Sequence, residues 1–299
     1  MDNAGSRARL PRLRVLASGS GGNCSVLLTP TEDGPRAWII DAGISRRRFL
    51  RHMDRIDLDP SQILGVLITH LDGDHFNAPL VDTLGAIAPV YMHRAHARRA
   101  SNLGLLKADP HVLADPNPLA AGLIVRPLLM PHDDLGVAAF RLEFPGAGVS
   151  LGYATDVGRV RPELARLLAG VDVLAIESNY CPAMQLASNR PAFLKRRIMG
   201  GSGHLSNQQC ARLVARIAPR RHVVFLHLSS QCNRPELVSE LHTDGRYGIT
   251  IADQREPTPW ILIGPPAPRG ALPPDPSPLF AGAGLTGRNE PSGSVSGDG

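Results

Sequence analysis

Short apolar runs punctuate this chain, and several of them end in a polar residue able to bind or catalyse. Residues 13–17, 24–28, 37–40 and 63–68 are rich in β-branched side chains and short for helices, so each predicts a strand. Residues 89–92, 128–130, 137–144, 149–154, 171–176 and 222–226 read the same way, and a hairpin is expected around Pro145, Gly146, Ala147 and Gly148. Helical spacing falls between them. Residues 45–55 predict a helix with Ser45 as N-cap and Phe49, Leu50, Met53 and Ile56 on its buried face; residues 78–87, 161–168 and 207–217 predict three more, the last capped by Ser206. Strand and helix in alternation predict a layered α/β architecture. No repeat of solenoid or propeller length is visible.

The chemistry sits where the runs end. Residues 63–68 deliver Thr69, His70, Leu71, Asp72, Gly73, Asp74 and His75, so four metal-ligand side chains leave one strand within a single loop. Carboxylates crowded this way repel, and desolvation penalises them, unless a cation satisfies them; a divalent metal pair is the simplest resolution, against a solvated acidic turn as the plainer reading. His132 closes another run, with Asp133 or Asp134 placed to orient its ring, although a lone histidine there also suits a structural role. Asp156 follows residues 149–154 and could instead cap the next helix. Glu177, Ser178 and Asn179 follow residues 171–176, and His227 follows residues 222–226. His204 lies in a glycine-rich loop before residue 207, either in the site or as a buried histidine satisfied by backbone. The turn of residues 18–23 is glycine-rich, yet it lacks the third glycine of a dinucleotide fingerprint and the lysine of a P-loop, so it reads as a hairpin turn needing positive φ.

Composition narrows this only in part. At 299 residues and 43% apolar content the chain can bury a large core. Its net charge of +5 is permissive of an acidic partner, but only Lys107 and Lys195 among the 32 basic residues are lysines, a bias that points to genomic base composition. Arg46, Arg47, Arg48, Arg51 and Arg55 share one predicted helix, as a solvated or an anion-facing surface. Cys24, Cys181, Cys210 and Cys232 form no paired motif, no signal peptide is legible, and no run reaches membrane-spanning length, so a cytoplasmic protein without a membrane partner is expected. Residues 1–12 are expected to be a disordered N-terminus, residues 13–264 a single folded domain carrying these candidate ligands, and residues 265–299, rich in Pro, Gly, Ala and Ser, a disordered tail.

The pattern from His70 to His75, H-x-D-x-D-H, resembles the metal signature of the metallo-β-lactamase fold, usually H-x-H-x-D-H, with Asp72 where a histidine is usual. Residues 18–23, the Glu177-Ser178-Asn179 run, the Gly203-His204-Leu205-Ser206 run and the His227-Leu228-Ser229 run are most similar to the WalJ/YycJ group of 5′ to 3′ exodeoxyribonucleases. The resemblance implies a four-layer αβ/βα sandwich over roughly residues 13–263, with two divalent metal ions, zinc or manganese, at one edge. It further implies that His70, Asp72 and His132 hold the first ion, Asp74, His75 and His227 the second, and Asp156 both. A metal-bridging hydroxide aimed by Asp74 would attack a phosphodiester. His204 would contact the phosphate or protonate the leaving oxygen, and Ser178 and Asn179 would join it in substrate binding.

DNA as substrate therefore leads. A thioesterase or lactonase acting on small metabolites on the same fold is the alternative, and a metal-site relic that binds without turnover is a third reading, motivated by Asp72. Aromatic content of 4% offers few platforms for stacked bases and tempers the first. Oligomeric state is not legible.

Overall fold

The computed structural model describes residues 10–265. The expected tail lies outside the described residues from position 266 on, as does the expected N-terminal segment up to residue 9. The chain separates into a unit of residues 1–269 and a second of residues 270–299 that is wholly outside them.

Two seven-stranded sheets form the frame. The first contains β1 (Arg12–Ala17), β2 (Cys24–Thr31), β3 (Gly34–Ile40), β4 (Ile63–Ile68), β5 (Val90–Met92), β6 (His111–Val112) and β14 (Ile261–Leu262), in the order β14-β1-β2-β3-β4-β5-β6. The second contains β7 (Asn117–Pro118), β8 (Ile124–Met130), β9 (Val137–Phe144), β10 (Val149–Ala154), β11 (Val173–Glu177), β12 (His222–Leu226) and β13 (Gly248–Ile251), in the order β13-β12-β11-β10-β9-β8-β7. Both sheets repeat one scheme. The pairs β14-β1, β1-β2 and β2-β3 are antiparallel and β3-β4, β4-β5 and β5-β6 parallel. Likewise β7-β8, β8-β9 and β9-β10 are antiparallel and β10-β11, β11-β12 and β12-β13 parallel.

The inner faces pack on each other through Leu13, Val15, Leu27, Trp38, Ile40 and Leu67 against Val125, Phe140, Leu142, Leu151, Tyr153 and Val224. Helices cover the outer faces. On the first sheet lie α1 (Arg46–Arg55), α2 (Ala78–Gly85) and α3 (Arg94–Asn102), whose Phe49, Met53, Leu80, Leu84 and Ala97 join one cluster. On the second lie α4 (Pro162–Leu167) and α7 (Asn207–Ile217), with α8 (Pro235–Ser239), through Leu164, Leu213, Ile217 and Val238. The result is four layers, α/β/β/α, with a short pair, α5 (Pro182–Ala187) and α6 (Ala192–Met199), set on a small separate cluster around Tyr180, Ile198 and Cys232.

Local chemistry sets the element ends. Ser45 accepts a hydrogen bond from the Arg48 amide, and Ser206 and Gln209 form a reciprocal capping box on α7. Leu50 departs from expectation: it is 38% exposed, and His52 takes the buried place with Phe49 and Met53, because only the i, i+3, i+4 stripe faces the sheet. Parallel strands put their carboxyl ends on one edge, where open α/β sheets bind ligands. The segments after β3, β4, β8, β10, β11 and β12 emerge there.

Candidate metal centre

The loop from Thr69 to His75 is shaped before any ligand is considered. The Asp72 carbonyl accepts from the amides of His75 and Phe76, both at 2.8 Å, which curls the loop so that both of its aspartates and both of its histidines converge. Two neighbours clip it. The Asn23 amide donates to the Asp74 carbonyl at 2.7 Å, and the Ala42 amide to the His75 carbonyl at 2.9 Å. Gly43 makes that approach possible, since a Cβ there would lie 1.7 Å from the Asp74 carbonyl oxygen.

Six side chains besides Asp156 meet at this edge in two groups. His70 Nε2 and His132 Nε2 stand 3.8 and 3.7 Å from Asp72 Oδ2. His75 Nε2 and His227 Nε2 stand 3.8 and 3.2 Å from Asp74 Oδ2. Asp156 lies between, its Oδ2 3.4 Å from His70 Nε2 and 2.6 Å from His75 Nε2. Ligands about 2.1 Å from one ion at a tetrahedral angle stand about 3.4 Å apart, so these separations fit shared cations. His70 Nε2 is buried without a hydrogen-bond partner, and a cation held between the groups is a fitting partner for its lone pair. Asp156, His204 and His227 also lie within common ligand reach, which puts His204 at the margin of the donor set.

Each ring is oriented through its other nitrogen. His75 Nδ1 meets Asp41 Oδ2 at 2.8 Å. The Thr69 hydroxyl donates to the same carboxylate, so its oxygen is left to accept from His70 Nδ1 at 2.9 Å. One buried aspartate thus sets two rings with Nε2 turned to the centre. His132 Nδ1 bonds the Gly203 carbonyl at 3.1 Å. Neither Asp133 nor Asp134 orients it as expected: Asp133 is drawn away to the Arg197 guanidinium, whose Nε donates to it at 3.1 Å, and Asp133 Oδ2 lies 3.7 Å from the ring. His227 Nδ1 lies 3.0 Å from Asp156 Oδ1.

Electrostatics agree with the geometry. Burial would raise the Asp156 carboxyl, but His227 and His75 beside it hold it well below the usual carboxylate range. Burial would lower His204; the Glu177 and Asp156 carboxylates reverse this and raise it to about 10. His204 Nδ1 is 3.1 Å from both Asp156 Oδ1 and Glu177 Oε1, its side chain is 20% exposed, and it lines the cavity, so Nε2 is the nitrogen left for a ligand. Glu177 is itself fixed by the amides of Val157 and Leu205 at 2.5 and 2.8 Å.

An open cavity of about 420 Å³ covers this centre, walled by Asp72, Asp74, His132, Asp156, His204 and His227 together with Asn179, Arg190 and Arg197. Asn179 touches the cavity, yet its amide is engaged with the His227 carbonyl at 2.7 Å. Ser178 differs from the expected substrate contact: it is wholly buried and its hydroxyl donates to Asn207 Oδ1 at 2.8 Å, behind the wall. Asp41, Arg190 and Arg197 are site residues that the sequence patterns did not single out, and Asn23 and Glu177 stood only within runs, without a role of their own. Asp41 and Glu177 carried the same signal as the metal loop, an acid ending an apolar run.

Known proteins place this arrangement. The chain is 26% identical over 249 residues to "Exodeoxyribonuclease YycJ" of Bacillus anthracis, covering 79% of this chain and 90% of that protein. It is 27% identical over 235 residues to "Exodeoxyribonuclease WalJ" of Streptococcus pneumoniae serotype 2, covering 75% and 83%. Among solved structures, the metallo-β-lactamase fold protein YhfI from Bacillus subtilis superposes with a TM-score of 0.62 at 14% identity, over 83% of this chain and 99% of that one. Residues 36–228 match the beta-lactamase superfamily domain, and with its two-sheet sandwich and His/Asp cluster able to bind divalent metal, the chain belongs to that family as a metallo-β-lactamase-fold hydrolase.

Proposed function

We propose that this chain is a DNA phosphodiesterase of the 5′ to 3′ exonuclease type that uses two divalent ions. The observation carrying this reading is the pair of donor groups sharing Asp156 in a cavity whose wall bears Arg190, Arg197 and His204. Similarity to the two exodeoxyribonucleases supports DNA as the substrate. His70, Asp72 and His132 would hold one ion and Asp74, His75 and His227 the other, with one Asp156 carboxylate serving both. Asp72, a hard anionic ligand, leaves zinc and manganese both suited and moves the balance toward manganese. When bound, such a pair supplies Lewis acidity to a phosphoryl oxygen and a water of lowered pKa.

The protein's own groups do the positioning. Asp74 accepts a hydrogen bond from the attacking water and aims it. The two carboxylates on His204 Nδ1 keep that ring protonated, so Nε2 can donate to a phosphate oxygen or to the leaving oxygen. Arg190 and Arg197 offset the charge of the flanking phosphates. Free buried thiols at Cys24, Cys210 and Cys232 suit the reducing cytoplasm.

Protein loaded with manganese or zinc should hydrolyse 5′-phosphorylated or 5′-hydroxyl DNA strands well above a panel of thioesters and lactones. His204→Ala should slow DNA hydrolysis on the order of a hundredfold, the scale of a positioned acid, with metal content and melting temperature retained. If the wild type cleaves small esters far faster than DNA, the assignment passes to a small-molecule hydrolase.

A further inference from the structure

Phe193 belongs to none of the four hydrophobic clusters among the described residues. It is 66% exposed, and no other Phe, Tyr or Trp among the described residues is exposed. Burying a phenyl ring contributes favourably wherever a neighbour can cover it. α6 does bury its other face: Leu194, Ile198 and Met199 pack with Tyr180 and Cys232.

Its place on the helix is informative. Leu194, Arg197 and Ile198 line the cavity, so they mark the inner stripe of α6. Phe193 stands one turn before Arg197, so helical spacing sets it at the edge of that stripe, next to the lining residues and outside them. Arg190, two residues before the helix, also lines the cavity and is braced by Gln185 Oε1 and Ser229 Oγ at 3.2 Å and by Gln231 Oε1 at 3.1 Å. A guanidinium has five N–H donors, so Arg190 and Arg197 both retain some for a ligand. Lys195 and Arg196 add charge on the same helix, and from residue 178 to residue 235 the chain contains no aspartate or glutamate. A flat exposed ring on an arginine-bearing wall, in a segment that carries no acid of its own and whose Arg197 pairs with Asp133, matches one chemistry, a polyanion that presents aromatic faces.

We propose that Phe193 is a base-stacking platform that receives an unpaired nucleotide of the strand entering the centre, while Arg190 and Arg197 hold the adjacent phosphates. The proposal rests on the phosphodiesterase reading and adds its mode of substrate recognition. Every base has a π-face, so such a platform grips the strand without reading its sequence. Base pairing would keep the stacked base within a duplex, so the platform requires a single-stranded or frayed end.

The test is steady-state kinetics on a 5′-phosphorylated oligonucleotide and on the same strand with its first nucleotides abasic, for wild type, Phe193→Ala and Phe193→Trp. Phe193→Ala should raise KM for the normal strand roughly tenfold to a hundredfold, the scale of one lost base stack. Phe193→Trp should restore it. Wild type should lose a similar factor on the abasic strand, where Phe193→Ala should add little further loss, because both changes remove one contact. Equal KM for wild type and Phe193→Ala, or fully additive losses, overturns the platform while the nuclease reading stands. Disruption of a dimer by Phe193→Ala with unchanged DNA kinetics also overturns it and gives the ring to a protein contact. Absence of DNA cleavage by the wild type, with hydrolysis of lactones or thioesters, overturns both.

Discussion

Asp41 shows how much of the centre depends on one side chain that is not itself in the donor set. It is wholly buried at φ 58°, accepts from the Thr69 amide and hydroxyl at 2.8 and 2.9 Å, and meets His75 Nδ1 at 2.8 Å. Asp41→Ala would leave the Thr69 amide unpaired and free two rings to turn. Loss of a carboxylate behind ligand imidazoles lowers metal affinity about 10–100-fold. Elemental analysis after dialysis against a graded chelator should therefore show the variant empty where wild type stays loaded, and an unchanged release curve would refute the shared-orienter role. In the same assay Asp156→Ala should lose more metal than His204→Ala, because the first sits between both donor groups and the second only at their margin. Such residues were legible in part. His70 to His75 stood out because six positions carry four ligand residues, whereas Asp41 and Asn23 act on that loop from 28 residues or more away, a proximity that only the paired strands create.

At the level of elements, apolar runs located ten of the fourteen strands among the described residues, missing the edge strands β6, β7, β13 and β14, two to four residues long, and the serine caps located the starts of α1 and α7. α3 escaped because its buried face consists of His96, Ala97 and Ala100, too weakly apolar to show a helical period. α5 and α6 escaped because they pack on a small outlying cluster rather than on a sheet, so their apolar positions are few. Their consequence for the site is large, since α6 supplies Arg197 and the cavity wall. Contacts between loops were also beyond reach. Gly43 follows β3 and packs on the metal loop so tightly that a methyl group would meet backbone carbonyl, which no rotamer change relieves. Gly43→Ala should push Asp74 and His75 out of place. We expect loss of metal together with a melting temperature lowered by several degrees, on the scale of 1–3 kcal/mol for overpacking. Retention of both in a calorimetric scan of the metal-loaded variant would show that the two loops can separate at little cost.

Across the whole molecule, β12 ties two opposite electrostatic solutions together. At its carboxyl end His227 is held among carboxylates, where burial lowers its pKa but Asp156 and Asp74 raise it overall. At its other end no carboxylate offsets burial for His222: burial, with Arg221 adding to it, lowers its pKa to about 4, and its Nε2 meets the Thr250 hydroxyl at 2.9 Å. The two ends therefore respond to acid with opposite sign. In the unfolded chain a histidine titrates near pH 6.5, so between about 6.5 and about 4 the unfolded state binds a proton at position 222 that the folded state refuses. Stability from this group is thus complete above pH 6.5 and falls as pH drops toward 4. Allowing for partial exposure of the ring, the loss is on the order of 2 kcal/mol. His52 and His242, whose pKa values are also lowered by burial, act in the same direction. Urea unfolding of wild type and His222→Gln at pH 7.5 and 4.5 separates this group from the histidines of the centre, which both proteins share. Glutamine keeps a donor for Thr250 but does not titrate, so the variant should lose less stability than wild type over that interval. Equal losses in the two proteins would mean that His222 accepts its proton in the folded state, and the pH dependence would then belong to other groups.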